Sequence, residues 1–218
     1  VRYKNSQDID IQFLDENNYI AKHNTYVNFK RGNVSNPYDR TVKGIGYIGI
    51  GDYITNVNGK MIPAYVTWRN MIDRCPICVE WLCFQRFTDW YEENKYEVYE
   101  RLHLDKDILF EGNKHYSPEN CLLVPQRINM LFTNKPNNRG LPNGIYEYSS
   151  GKYVANYNSI KLGCYCSVNE AFSAYAKTKK EKIIKTAEEY KFLIPVKLYN
   201  ALLKYDVKIQ NDKNYNIA

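Results

Sequence analysis

The sequence contains no apolar run that approaches eighteen residues. That excludes a membrane-spanning helix, and no membrane partner is expected. Its opening residues, Val1-Arg2-Tyr3-Lys4, lack the apolar character of a secretory leader, so a cytoplasmic location is the expectation. Without a secretory context and at this length, the six cysteines are not expected to form disulfides. There is one CxxC, Cys75-Pro76-Ile77-Cys78, and no second to complete a zinc ribbon. The glycines at 44, 46, 49 and 51 lack the strand-then-helix setting of a phosphate loop, so they read as a bent or bulged strand.

What is present is an ordinary globular composition, 44% hydrophobic and 25% charged over 218 residues, enough for one large domain or two small ones. The net charge of +6 is unevenly spread: residues 1–60 carry +2, 61–133 carry −3 and 134–218 carry +7. A basic final third is either the footprint of a polyanion partner or a solvated lysine-rich helix face, and charge alone does not choose between them.

Along the chain, the first sixty residues read as short strands, with alternation at Ile9–Leu14 and Thr25–Phe29 and a hairpin signal at Asn58-Gly59. From Trp68 the period becomes helical, with Trp68, Met71, Ile72 and Cys75 on one face and then Phe84, Phe87 and Trp90 on another. A strand at Leu102–Phe110, a polar loop, a strand at Cys121–Val124 and a helix after Pro125 make a ββα unit. The stretch 134–143, with two prolines and a glycine, reads as a linker. Three short strands follow, and Ser167-Val168-Asn169-Glu170 is a capping box that opens a helix. Helix is expected to restart near Thr186 and again at Pro195, and the tail from Gln210 is expected to fray.

Two of these segments resemble known modules. Asp105-Lys106-Asp107-Ile108, Gly112-Asn113-Lys114, Ser117-Pro118-Glu119-Asn120 and Pro125-Gln126-Arg127-Ile128-Asn129 together resemble the HNH-type ββα-metal unit of phage and mobile-element endonucleases. The aromatic helices before them are similar to helices found upstream in one phage branch of that family. Gly144-Ile145-Tyr146, then Gly151-Lys152-Tyr153-Val154-Ala155, Leu162-Gly163, Glu170-Ala171 and Ala174-Tyr175 resemble the AP2 DNA-binding domain, a frequent companion of HNH units. The resemblances cover about residues 67–185. They imply an α+β chain with a β-rich region at 1–66, an HNH-like domain at 67–133, the linker at 134–143 and an AP2-like domain with C-terminal helices at 144–209.

The HNH resemblance implies a divalent ion, Mg²⁺ or Mn²⁺, held by Asp105, Asp107 and Asn129, with Asn120 pinning the loop. Where the family carries an Asp-His pair this chain has Asp105-Lys106. His103 and His115 are the nearest candidates for the base that activates water, and without one hydrolysis falls by about 10²–10⁴-fold. The AP2 resemblance implies that Tyr146, Tyr148, Lys152, Tyr153, Asn156 and Lys161 read double-stranded DNA from the sheet, while Lys177, Lys179, Lys180, Lys182 and Lys185 hold phosphates. Separately, Cys75, Cys78, His103 and Cys121 are either a tetrahedral Zn²⁺ set or thiols packed beside Trp81 and Trp90.

The expected function is therefore DNA binding by a relative of HNH endonucleases, acting in the cytoplasm of a bacterial host cell, with nuclease activity impaired or lost. Two alternatives stand beside it. A degenerate nuclease scaffold can serve a phage as an inhibitor that binds a host protein, a role that suits a chain with 21 tyrosines. The other alternative is an active Mg²⁺-dependent endonuclease.

Overall fold

The computed structural model describes residues 2–74, 76–148 and 150–215. It is a mixed α+β chain with small antiparallel sheets and six α-helices among the described residues. Two compact units divide it, Val1–Glu93 and Asn94–Ala218. This boundary falls inside the stretch expected to be one domain, not at its ends. The second unit holds nineteen basic and thirteen acidic residues, so the whole net charge of +6 lies there and the first unit is neutral.

The first unit opens on a sheet in the order β1-β2-β3, formed by Arg2–Asn5, Asp8–Gln12 and Ile20–Asn24. In the central strand Ile9 and Ile11 are buried while Asp8 and Asp10 face the other way, the alternation the sequence displays. Thr25–Phe29, expected as a strand, is instead a capped helix, α1 (Tyr26–Lys30). The Thr25 hydroxyl accepts the amide of Asn28 at 3.1 Å and so satisfies an N–H that a short helix leaves open. Asn58-Gly59 joins β4 (Asn56–Val57) to β5 (Lys60–Met61) as expected, both turn residues having positive φ.

The Gly44–Gly51 stretch forms isolated bridges, not a strand. Gly46 lies so close to the Trp68 ring that a Cβ would come within 2.6 Å of it, and Gly49 at φ +79° would put one 2.4 Å from the Cys83 sulfur. The aromatic core beneath these glycines comes from α2 (Pro63–Met71), a 3₁₀ turn at Val79–Leu82 and α3 (Phe84–Asn94). Trp68, Trp81, Phe84 and Phe87 are fully buried, and the Trp68 indole N–H donates to the Trp81 carbonyl at 2.7 Å.

One buried amide clamps this unit. Gln85 accepts the Tyr53 N–H at 3.0 Å and donates to the Tyr53 carbonyl at 2.9 Å. Gln85→Ala leaves both backbone groups without that partner and should cost about 2 kcal/mol. The drop is read as a lower urea midpoint followed by tryptophan emission, because all three tryptophans belong to this unit.

In the second unit, β6 (Leu102–Asp105) pairs antiparallel with β7 (Leu122–Pro125), and α4 (Gln126–Leu131) follows at once. Next come β8 (Ile145–Glu147), β9 (Tyr153–Tyr157) and β10 (Ile160–Tyr165), an antiparallel sheet with β9 central. The helix after it, α5 (Val168–Glu189), runs unbroken through Thr186 and is about 33 Å long. Its N-terminus carries the expected cap: the Ser167 hydroxyl accepts from the Glu170 amide, and the Glu170 carboxylate accepts from Cys166 N–H.

α5 is the spine of this unit. Its first half buries Ala171, Phe172 and Tyr175 under the sheet against Ile145 and Ala155. Its second half buries Ile183 and Ala187 against Ile108, Val124 and Ile128 of the ββα element and against Leu198 and Leu202 of α6 (Val196–Lys204). The 134–143 stretch, expected as a linker, is stitched to the tail. Asn137 N–H donates to Asn214 at 2.6 Å and Asn143 N–H to Asp212 at 2.9 Å, so the segment from Gln210 that was expected to fray is hydrogen-bonded.

Candidate nucleic-acid interface

Strand register decides which side chains share a face of the β8–β10 sheet. Tyr146 lies opposite Val154, which lies opposite Cys164, and Asn156 lies opposite Lys161. By alternation Tyr148 and Lys152 join that face, and the Tyr148 amide bonds the Lys152 carbonyl across the turn at 2.7 Å. Tyr146, Tyr148, Lys152 and Lys161 are exposed, and the Arg139 guanidinium sits 4.4 Å from the centre of the Tyr146 ring.

The structure redistributes the other candidates. Tyr153 lies on the opposite face, half-buried and packed against the Ile145–Phe172 cluster. Asn156 is half-buried with its Oδ1 shielded from solvent. Lys177 is exposed on α5. Lys180 instead donates to the Leu203 carbonyl at 2.7 Å and to the Tyr205 carbonyl, closing the C-terminal end of α6. Lys179 lies 5.8 Å from the Tyr175 ring centre, and burial pulls its ammonium below the usual lysine range. Neither of these two lysines is spread on the surface for phosphates. Arg139, absent from the sequence candidates, lies in a polar Asn-Arg-Gly stretch that gives no periodicity to place it.

In the ββα element the carboxylates already have partners. Asp105 Oδ1 accepts the amides of Asp107 at 2.9 Å and Ile108 at 2.8 Å, a local turn at the end of β6. Burial pushes the Asp105 carboxyl up to about 6, against the opposite pull of those two amides. Asp107 is 2.7 Å from the Lys106 ammonium, which also reaches the Asn113 carbonyl and lies 6.0 Å from the Tyr116 ring centre.

Loop pinning, expected of Asn120, belongs to Asn113. Its amide donates to the carbonyls of Lys106 and His115 and accepts the His115 N–H. Asn120 enters a turn through its backbone N–H to Ser117, and Asn129 is half-buried on α4. His103 faces Val124 in the strand pair, and His115 closes the pinned loop through its bonds to Asn113.

Of the zinc set, Cys75 lies outside the described residues. Cys78 belongs to the first unit, whereas His103 and Cys121 belong to the second. Among the described residues one group of His, Cys, Asp or Glu gathers ligand atoms within 4.8 Å of one another: Asp8, Asp10 and His23. Arg2 pairs with Asp10, while His23 and then Lys4, bonded to Asp8, hold the Asp8 carboxyl below its usual range. It is a cross-strand ion-pair cluster on an exposed sheet.

No protein-family model, no curated protein and no solved structure matches this chain. Its geometry defines a mixed α+β protein whose net positive charge lies in the same unit as the β8–β10 sheet.

Proposed function

We propose that the second unit binds double-stranded DNA through the outer face of the β8–β10 sheet, and that the ββα element is a scaffold that does not cleave. The observation that carries this reading is one exposed sheet face with Tyr146, Tyr148, Lys152 and Lys161, flanked by Arg139, in the unit that holds all the net charge. Three strands about 4.8 Å apart make a ribbon roughly 10 Å across, which fits a major groove about 12 Å wide. Tyrosines and Arg139 offer contacts to base edges, and the lysines offer contacts to phosphates.

The scaffold half rests on charge bookkeeping. Asp105 and Asp107 are the carboxylates that would hold Mg²⁺ or Mn²⁺ together with Asn129. One is engaged by two amides and the other by the Lys106 ammonium. A fixed cation at that spot opposes a divalent one, so these residues do not fit the ion.

The test is anisotropy of a labelled duplex between 50 and 200 mM salt. Parent protein should bind with steep salt dependence, while Lys152→Glu/Lys161→Glu should bind about tenfold or more weakly, with a shallower slope. Supercoiled plasmid with Mg²⁺ or Mn²⁺ should stay intact. No duplex binding at 50 mM salt would overturn the DNA reading, and nicking by the parent that is lost in Asn129→Ala would overturn the scaffold reading.

A second reading, docking on a host protein as an inhibitor, is favoured by one feature of the neutral first unit. Tyr3, Tyr26 and Phe29 are exposed side by side, with Tyr3 6.4 Å and Phe29 6.3 Å from Tyr26, ring centre to ring centre.

A further inference from the structure

Arg139, the cation that flanks the sheet face, is held from the far end of the chain. It lies in the 134–143 arm, which belongs to no helix or strand, so no ladder of its own fixes the guanidinium 4.4 Å from the Tyr146 ring centre. Asn137 folds the arm around it: the side-chain oxygen accepts the Arg139 N–H at 2.9 Å, and the side-chain amide donates to the Leu141 carbonyl at 3.1 Å. The C-terminal tail then grips the arm on both sides of Arg139. Before it, Asn214 accepts the Asn137 N–H at 2.6 Å and donates to the Lys135 carbonyl at 3.0 Å. After it, Asp212 accepts the backbone N–H of Asn143 at 2.9 Å and its side-chain amide at 3.1 Å. The other Asp212 oxygen accepts from Asn214, so the two tail residues act as one piece. That piece is anchored in turn. Val207 and Ile209 pack against the Ile145–Phe172 cluster, and Glu111 accepts from the Asp206 amide and the Asn211 side chain.

We infer that Asp212 and Asn214 are positioning residues for duplex recognition: the tail presets the arm so that Arg139 stands over Tyr146 before DNA arrives. An arm ordered in advance spares the entropy that binding would otherwise spend on ordering it. Charge alone predicts the opposite effect. Asp212→Ala takes the unit from +6 to +7 and removes the carboxylate that supports the charge of Lys179. On electrostatics it should bind a polyanion more tightly, whereas the positioning role makes it bind more weakly.

This inference rests on the DNA reading, and the experiment separates the two. Parent, Asp212→Ala/Asn214→Ala, Arg139→Ala and the combination of all three are first confirmed as folded by far-UV spectra. Trypsin then reports on the arm without DNA, because the arm's one other basic residue, Lys135, precedes Pro136 and resists it. Cleavage after Arg139, read from fragment masses, should be about tenfold faster in the tail pair than in the parent. On the labelled duplex the tail pair should bind about fivefold more weakly and Arg139→Ala about tenfold. The combination should be no weaker than Arg139→Ala, since the tail acts only through that side chain. Asp212→Asn, which removes the same charge but keeps one acceptor for the Asn143 amide, should lie between the parent and the tail pair.

Parent-like or tighter duplex binding by the tail pair would overturn the positioning role and leave the DNA reading standing. Unchanged cleavage after Arg139, or losses that multiply in the combination, would do the same. Absence of duplex binding by the parent at 50 mM salt would overturn both.

Discussion

Shortening Ile183 to alanine should destabilise the second unit by about 3 kcal/mol, within the 2–5 kcal/mol typical of such truncations in a closed core. Ile183 is fully buried and lies among Ile108, Val124, Ile128, Leu198 and Leu202, so its side chain is shared by the ββα element, α5 and α6. A void at that point removes contacts on three sides, and neighbours drawn from separate elements cannot all collapse into it. The same helix carries Phe172 and Tyr175 beneath the sheet. Its continuity makes the proposed DNA-binding face depend on packing near its far end. The measurement is the urea midpoint by far-UV circular dichroism, with a fall in melting temperature of roughly 10 °C. A midpoint unchanged by Ile183→Ala would mean that α5 is not the spine of this unit.

How far the sequence can be read follows from which interactions are local. The alternation of Ile9 and Ile11, the turn at Asn58-Gly59 and the cap at Ser167–Glu170 are set within a few residues, and the structure has all three. Thr25–Phe29 shows the limit of that reading. Five residues of alternation also fit one helical turn, and the Thr25 hydroxyl meeting the Asn28 amide settles it as helix.

The candidate interface needed information that is not local. Tyr146 and Tyr153 are both tyrosines on neighbouring strands, yet register places one outward and the other against the helix-covered cluster. Lys179 and Lys180 read as two more charges on a basic helix. Only the fold brings the second to the carbonyls of Leu203 and Tyr205 and the first under cover. Likewise Asn113 and Asn120 are both loop asparagines, and it is the path of the 106–115 loop that gives the pinning bonds to Asn113.

Asp105→Asn should stabilise the second unit at pH 7 by about 2–3 kcal/mol and flatten its stability between pH 4 and 6. Burial raises the carboxyl of Asp105 from 3.8 to about 6. The folded chain therefore holds this proton more tightly than the unfolded one. The associated stability is fully present below the ordinary carboxylate range and is lost as pH rises through 6. A difference of about two pH units corresponds to roughly 3 kcal/mol. Asparagine keeps the oxygen that accepts the amides of Asp107 and Ile108 and removes the charge that burial penalises.

The two proteins should thus be equally stable near pH 4 and diverge above it, as read by urea midpoints across that range. Mg²⁺ supplies the opposing result. If Asp105 held a divalent ion, millimolar Mg²⁺ would raise the midpoint of the parent at pH 7 and not that of the variant, and the carboxylate would be stabilising when charged. With the Lys106 ammonium already beside Asp107, the expected midpoints with and without Mg²⁺ coincide, and the proton is the ligand that Asp105 prefers.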